Sequence, residues 1–188
     1  IARVPDVPPP SRETLDASIR KAADFLLKEQ NRDGSWGNHT RTKGLNVLCP
    51  YPEGPRSFRT ASTSLCVIGL LTSPLKEDPA VKASLDKALQ YLLTTLPTLK
   101  RGDTRTVLGV WGHAYGLSAL SRAARNLPAD APLREELKKV ASLQVKALDQ
   151  MADVQGGWGY YTFETFSKRP IGEPTSFLTA TVLLAYKD

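Results

Sequence analysis

Apolar and polar side chains alternate along much of this chain with the three-to-four-residue spacing of amphipathic helices. Between residues 13 and 30, charged side chains separate the members of one apolar stripe, which predicts a helix with a single buried face. Ser11 is the expected N-cap, and Asp33-Gly34 is expected to end the helical region. The stripe consists of Leu15, Ile19, Ala22, Ala23, Leu26 and Leu27.

The same stripe returns 66 residues later, and the likeness extends to residue identity. SIRKAADFLL from Ser18 and SLDKALQYLL from Ser84 share the serine, the lysine, an alanine and both leucines. A weaker third copy covers 133–154, with Gln144 where the others have alanine, and QGGWG follows it in the place of DGSWG. This pattern indicates an internal repeat.

A more apolar segment follows each amphipathic helix, and these segments align on Thr63, His113 and Thr179. Small residues also stay in register, at Gly69, Ala119 and Ala185. Small residues at a fixed helical position allow close helix approach, so the apolar segments predict buried inner helices with the charged helices outside. The predicted fold is therefore all-α, in one repeat domain over 13–188 after a Pro-rich lead-in at 1–12. Its three outer-inner hairpins span about 13–73, 79–125 and 131–188.

Composition agrees with one packed domain. The chain has 188 residues, 41% of them hydrophobic, and its apolar runs are too short to cross a bilayer. We therefore expect a soluble protein that is not transmembrane. Cys49 and Cys66 leave a single bridge open, although a free buried thiol is the simpler expectation for Cys66. The lead-in IARVPDVPPP leaves export after leader cleavage open, and the sequence does not determine the compartment.

Residues 21–36, KAADFLLKEQNRDGSW, carry a family resemblance. Gln30, Gly34 and Trp36 match the Gln-x-x-x-Gly-x-Trp pattern, and the third copy keeps Gly156 and Trp158. The segment resembles the QW repeat of the terpenoid cyclase and protein prenyltransferase superfamily, which includes the squalene-hopene cyclase-like proteins and the prenyltransferase/squalene oxidase repeat. The resemblance implies an α/α toroid, of which three hairpins would form half of an α/α6 barrel. It also implies a structural role for the motif residues.

The chemistry that the resemblance implies is missing from this chain. An Asp-x-Asp-Asp acid would stand before an inner helix, but residues 59–62, 109–112 and 175–178 contain no carboxylate. The histidines and cysteines form no zinc-ligand motif, and we expect no cofactor and no metal. Whether the protein is an enzyme stays open. The alternative is an isoprenoid-processing or polysaccharide lyase-like enzyme whose catalytic residues are supplied outside this chain.

His113 is the one weak catalytic candidate. It replaces the aligned threonine at the start of an inner helix, between Trp111 and Tyr115. These three residues could contact a ligand at a cavity mouth, and the histidine could act in acid-base chemistry. A hydrogen-bonded interior histidine without such a role is the simpler interpretation.

Positive charge concentrates in the outer-to-inner connections, taken as 38–59, 98–107 and 159–174. They carry nine basic and four acidic residues, a net charge of +5 out of +6 for the whole chain. Because the helices alternate in direction, these connections share one end of the array, and this charge would attract an anionic ligand. A solvated rim is the alternative interpretation, since exposed loops collect charge in any case. The candidate binding residues are Arg41, Lys43, Arg56, Arg59, Lys100, Arg101, Arg105, Lys168 and Arg169.

The sequence therefore favours a non-catalytic binding or interaction module. Its expected ligand at the basic end is a diphosphate, a lipid head group, an acidic glycan or an acidic protein face. Nucleic acid is not expected, because the aromatic residues do not interleave with the basic ones. An open array would also leave apolar edges, for which we expect a protein partner or a second copy, unless the chain is a fragment of a larger toroid.

Overall fold

The computed structural model describes residues 8–37, 53–100, 109–159 and 174–188. Within these ranges the chain is all-helical, as predicted, and contains no strand. A short 3-10 turn, Leu96–Thr98, follows the third helix. The helices are α1 (Arg12–Glu29), α2 (Glu53–Thr72), α3 (Pro79–Thr95), α4 (Val110–Asn126), α5 (Pro132–Met151) and α6 (Ser176–Lys187).

Local capping fixes where α1 and α3 begin. The Ser11 side chain accepts a hydrogen bond from the backbone N–H of Thr14, as expected of the N-cap of α1. Asp78 caps α3 in the same way, accepting from the N–H of Ala80. Each cap satisfies a backbone donor that the first helical turn leaves without a partner.

Helix α2 begins earlier than the connection boundary assumed from the sequence. Arg56 and Arg59 were assigned to a connection ending at residue 59, but both lie in the first turns of α2, which starts at Glu53. Pro55 does not break this helix, because a proline in the first turn lacks only a donor that would have no intrahelical partner. The assignment of these two arginines to a connection was therefore wrong.

Helix contacts fall into three sets. Helices α2, α4 and α6 pack in succession, and so do α1, α3 and α5. The two series are joined where α2 packs on α3 and α4 packs on α5. The hydrophobic core lies between them and is densest around α4, most of whose residues are buried. Among the described helices, none is both long enough and apolar enough to cross a bilayer.

The two Gly-Trp turns have matching hydrogen bonds. The backbone N–H of Trp36 donates to the Thr63 hydroxyl at 2.9 Å, and its indole N–H donates to the Leu26 carbonyl at 2.8 Å. Trp158 donates in the same way to Thr179 at 3.0 Å and to Leu148 at 2.8 Å. Both tryptophans are buried. The repeat seen in the sequence is thus repeated atom by atom in these contacts.

Gln30 joins the first Gly-Trp turn to α3. Its side-chain amide donates to the carbonyls of Gly34 and Ser84, both at 2.9 Å, and accepts from the Ser84 hydroxyl at 2.9 Å. Gly34 has a φ of +86°, and a side chain there would meet the carbonyl oxygen of Lys87 at 2.3 Å. The turn therefore lies directly against α3, and only glycine fits at this position.

The second repeat has no Gly-Trp turn, and leucines pack in the corresponding region. A Cβ at Gly116 would lie 2.5 Å from Leu96 Cδ2, and one at Gly112 would lie 2.5 Å from Leu99 Cδ2. The two glycines therefore leave notches on α4 that Leu96 and Leu99 fill. Gly112 also lets the backbone of Ser57 approach, which brings α2 close to α4.

Candidate functional site

Described residues at the ends of the first two connections lie together, beside the last residue of α5, at one end of the helix array, which we call the loop end. The carboxylate of Glu53, where α2 starts, accepts a hydrogen bond from the Lys100 backbone N–H at 3.4 Å. At the start of α4, a Cβ on Gly109 would lie 3.4 Å from the Lys100 carbonyl and 3.3 Å from the Met151 methyl. The start of α4 therefore lies beside the chain that follows α3 and the last residue of α5.

Three of the nine basic candidates belong to the described residues: Arg56, Lys100 and Arg59, of which Arg59 is described below. The Arg56 guanidinium donates to the Thr98 carbonyl at 3.3 Å and lies 3.5 Å from the Glu53 carboxylate, whereas Lys100 is exposed. The other six, for which the predicted ligand contact stays a prediction, lie outside the described residues. They are Arg41, Lys43, Arg101, Arg105, Lys168 and Arg169.

Arg59 holds the first Gly-Trp turn against α2. Its guanidinium lies 2.9 Å from the Asp33 carboxylate and 5.6 Å from the Tyr91 ring centroid, and only 14% of its side chain is exposed. Burial acts to raise the pKa of Asp33, but hydrogen bonds from Ser35 and the Arg59 charge outweigh it and lower that pKa. These contacts give Arg59 a structural partner within the chain. Its predicted role as a ligand contact stays a prediction.

His113 forms a buried pair with Gln144. The imidazole is 2% exposed, and its Nδ1 lies 2.6 Å from Gln144 Oε1. Gln144 Nε2 donates to the Val140 carbonyl at 3.0 Å. This orientation of the amide makes Oε1 the acceptor, so His113 Nδ1 carries the proton and Nε2 presents a bare lone pair.

The Nε2 atom of His113 is buried and has no hydrogen-bond partner among the described residues. Burial lowers the pKa of His113, and the hydrogen bond with Gln144 opposes that shift only in part. The ring edge faces the start of α4, since a Cβ at Gly109 would lie 3.5 Å from His113 Cδ2. The arrangement is a neutral imidazole with one unused acceptor near the loop end.

The pair arises from two departures from the repeat. Thr63 and Thr179, aligned with His113, accept the N–H groups of Trp36 and Trp158. No Gly-Trp turn precedes α4, so the side chain at position 113 does not have to accept a tryptophan backbone N–H. Gln144 stands where α1 and α3 have alanine. The sequence reveals each departure separately, whereas their contact depends on the packing of α4 against α5.

Trp111 and Tyr115 lie two residues to either side of His113 on α4 and therefore on the opposite face of that helix, where they form an aromatic stack with Phe177. Trp111 stacks on Tyr115 at 5.5 Å between ring centroids and on Phe177 at 5.8 Å. The structure thus brings Trp111 and Tyr115 together and adds Phe177 from α6, while their predicted contact with a ligand stays a prediction. Sequence reasoning missed Phe177. The alignment of Thr179 with His113 already aligns Phe177 with Trp111 in the repeat. Such a stack offers a flat apolar surface for a ligand.

The described residues contain no group of three or more histidine, cysteine or acidic side chains arranged to hold a metal ion. Cys66 is a free, partly buried thiol, and burial raises its pKa to about 11. It is therefore a weak nucleophile at neutral pH. His39 and Cys49 lie outside the described residues.

Comparison with known proteins adds no assignment. No protein-family model matches the chain, and no solved structure matches it.

Proposed function

We propose that the chain is a non-catalytic binding module of the prenyltransferase/squalene oxidase repeat type, with the loop end as its contact surface for an anionic ligand or partner. In this proposal the three outer-inner hairpins take a toroid-like arrangement, as the resemblance to the terpenoid cyclase and protein prenyltransferase superfamily implies. The successive packing of α2, α4 and α6, and of α1, α3 and α5, is compatible with such an arrangement.

The observation that carries the proposal is that the described ends of the first two connections meet the end of α5 at the loop end. Glu53 contacts Lys100, and Gly109 lies close to both Lys100 and Met151. The connections that join these ends hold six further basic residues in the sequence. Positive charge gathered at one end attracts anions over the range that salt leaves unscreened. The stack of Trp111, Tyr115 and Phe177 would supply apolar contact for the same ligand.

Charge reversal tests the proposal. We would combine Lys100→Glu, Arg105→Glu and Arg169→Glu, sparing Arg59 because it pairs with Asp33. Lys21→Glu, Lys139→Glu and Lys146→Glu, all exposed on outer helices, form a control with the same change in net charge. Binding of inorganic diphosphate and of phosphatidylglycerol vesicles would be measured at low salt.

Each probe identifies one source of the anionic group. Diphosphate binding by the parent chain and the control, weakened at least tenfold in the loop-end variant, would support a small phosphate ligand. The same result with vesicles alone would support a lipid surface. Equal affinity in the loop-end variant and the control would show that the loop end does not bind the anion.

The bare Nε2 of His113 favours the second candidate, an isoprenoid-processing enzyme completed by residues outside this chain. A buried neutral imidazole can take a proton or accept a hydrogen bond from a substrate. If release of diphosphate from an isoprenoid diphosphate is detected, His113→Ala should lower its rate. Turnover that survives this change would remove His113 from the chemistry.

A further inference from the structure

The α6 end of the helix array exposes apolar residues that are buried elsewhere in the repeat. Leu183 of α6 is 56% exposed, whereas the aligned Val67 and Leu117 are 0% and 4% exposed. Tyr186 is 40% exposed, whereas the aligned Leu70 and Leu120 are buried. Helices α2 and α4 are each packed against the outer helix that follows them, but the main contacts of α6 are with α4. Among the described helices, this face of α6 therefore has no neighbour like the one that follows α2 and α4.

Helix α1, at the other end of the helix array, also exposes residues whose aligned counterparts are buried. Leu15 of α1 is 45% exposed, whereas the aligned Val81 of α3 is fully buried. Ala22 is exposed and the aligned Ala88 is buried. Helix α3 packs on the inner helix that precedes it, α2, while the main contacts of α1 are with α3. An open groove of about 650 Å³, lined by Leu15, Ile19 and Leu71, runs along this end.

Helix α2 carries a third bare surface. It lies at the positions of α2 that align with the α4 positions in contact with α2. On α4, Gly112 and Ala119 are buried, and a Cβ at Gly112 would lie 2.9 Å from the Ser57 hydroxyl of α2. The aligned residues of α2 are Ser62 and Gly69, and both are exposed. A Cβ at Gly69 would meet no atom of the described residues within 4 Å, whereas a Cβ at Gly37 of the first Gly-Trp turn would lie 3.6 Å from Ser62 Cβ. Within the described part of the chain, no helix therefore occupies the position on α2 that α2 itself occupies on α4.

These bare surfaces complement one another in the register of the repeat. We infer that copies of this chain associate head to tail, with α1 of one copy packed on α6 of the next, as α3 packs on α2. In the same contact, α2 of the first copy lies against α6 of the second copy. This repeats between two molecules the packing of α4 against α2 within one molecule. The chain makes this junction twice within itself, so a second copy has the matching surface by construction. Burial of the exposed apolar side chains drives the association.

The junction joins two different surfaces, and its symmetry follows from that. A contact of this kind closes into a ring or continues as an open array, whereas a two-fold dimer would pair identical surfaces. The surfaces are helix faces, not the basic loop end, so the inference goes beyond the proposed anion binding and can fail independently of it.

One variant on each side of the junction, on α2 and on α6, tests the inference without disturbing the fold. Gly69→Arg places a long side chain in open space on α2 and also improves helix propensity. Leu183→Glu places a charge on the bare face of α6. Leu143→Glu is the matched control, because this exposed α5 position holds lysine in the other two repeats, at Lys21 and Lys87. Circular dichroism would verify that each variant is folded.

Self-association would be measured by sedimentation velocity from micromolar to millimolar concentration, without added anion. We expect the parent chain and Leu143→Glu to associate and each surface variant to be monomeric. A mixture of Gly69→Arg with Leu183→Glu should form a 1:1 heterodimer, because one junction between the two variants is intact. A monomeric parent chain, or a Gly69→Arg variant that still dimerises alone, would overturn the inference. Either outcome leaves the diphosphate and vesicle results unchanged.

Discussion

The first Gly-Trp turn and residues 96–100, which follow α3, stand at corresponding places in the repeat and pack differently. In the first, the buried Trp36 donates hydrogen bonds to Leu26 and to Thr63. In the second, Leu96 fills the notch at Gly116 on α4. Close packing is kept without the tryptophan.

The difference has a chemical consequence on the inner helix. In the first repeat the Thr63 hydroxyl is occupied by the N–H of Trp36, so it is not available to a ligand. In the second repeat the aligned His113 pairs with Gln144 and keeps a bare Nε2. Position 113 does not have to accept a tryptophan N–H, and among the described residues it carries a buried ring nitrogen without a hydrogen-bond partner.

Removing the tryptophan should break the first turn most severely. Trp36→Ala should lower the free energy of unfolding by about 3–5 kcal/mol, because it empties a buried site and leaves the Leu26 carbonyl without its donor. Urea denaturation measures this loss. Trp111→Ala, which removes a partly exposed ring, should cost clearly less. Equal losses would mean that burial in the turn is not what stabilises it.

Filling a notch should disturb the second repeat next. Gly116→Ala brings Cβ to 2.5 Å from Leu96 Cδ2 and should cost about 1–3 kcal/mol by overpacking. Adding Leu96→Ala should relieve the clash, so that Gly116→Ala costs less in that background. Gly69→Ala, made in open space and measured in dilute solution, should instead stabilise α2 by up to about 1 kcal/mol. A loss of stability in Gly69→Ala would contradict this account of the notches.

Replacing His113 and Gln144 by the residues that the first repeat has at these positions, threonine and alanine, tests the buried pair. His113→Thr or Gln144→Ala alone leaves the partner without a hydrogen bond in the interior, which should cost about 1–3 kcal/mol. The double variant, with the residues of the first repeat, should cost less than the sum of the two, by about 1 kcal/mol. A double-mutant cycle by thermal or urea unfolding measures the coupling. Additive losses would mean that the two residues act independently.

The smallest expected effect is a dependence of stability on pH. Because the pKa of His113 is lowered in the folded chain, the unfolded chain binds a proton more readily at this residue. His113 therefore supports full stability above its unfolded pKa of about 6.5, and stability falls as the pH is lowered through that value. The His113→Thr, Gln144→Ala double variant should lack this component of the slope. An unchanged slope would place the titration elsewhere.

Part of the fold followed from local patterns. The stripe of α1, the Ser11 cap and the alignment of Thr63 with Thr179 predicted helices and a repeat, because helical periodicity and capping depend on neighbours in sequence. The start of α2 did not follow, since Pro55 indicates a break as readily as a first turn. The charge pattern also could not reveal that Arg59 is paired with Asp33.

The sequence by itself determined the helical class, the repeat and its register, which follow from periodicity and from residue identity at fixed spacing. Only the tertiary structure decided that Gln144 orients His113, that Leu96 occupies the Gly116 notch and that Gln30 bonds to Ser84. Each of these contacts joins segments far apart in sequence. They depend on the distance and angle between packed helices, which a linear pattern does not contain.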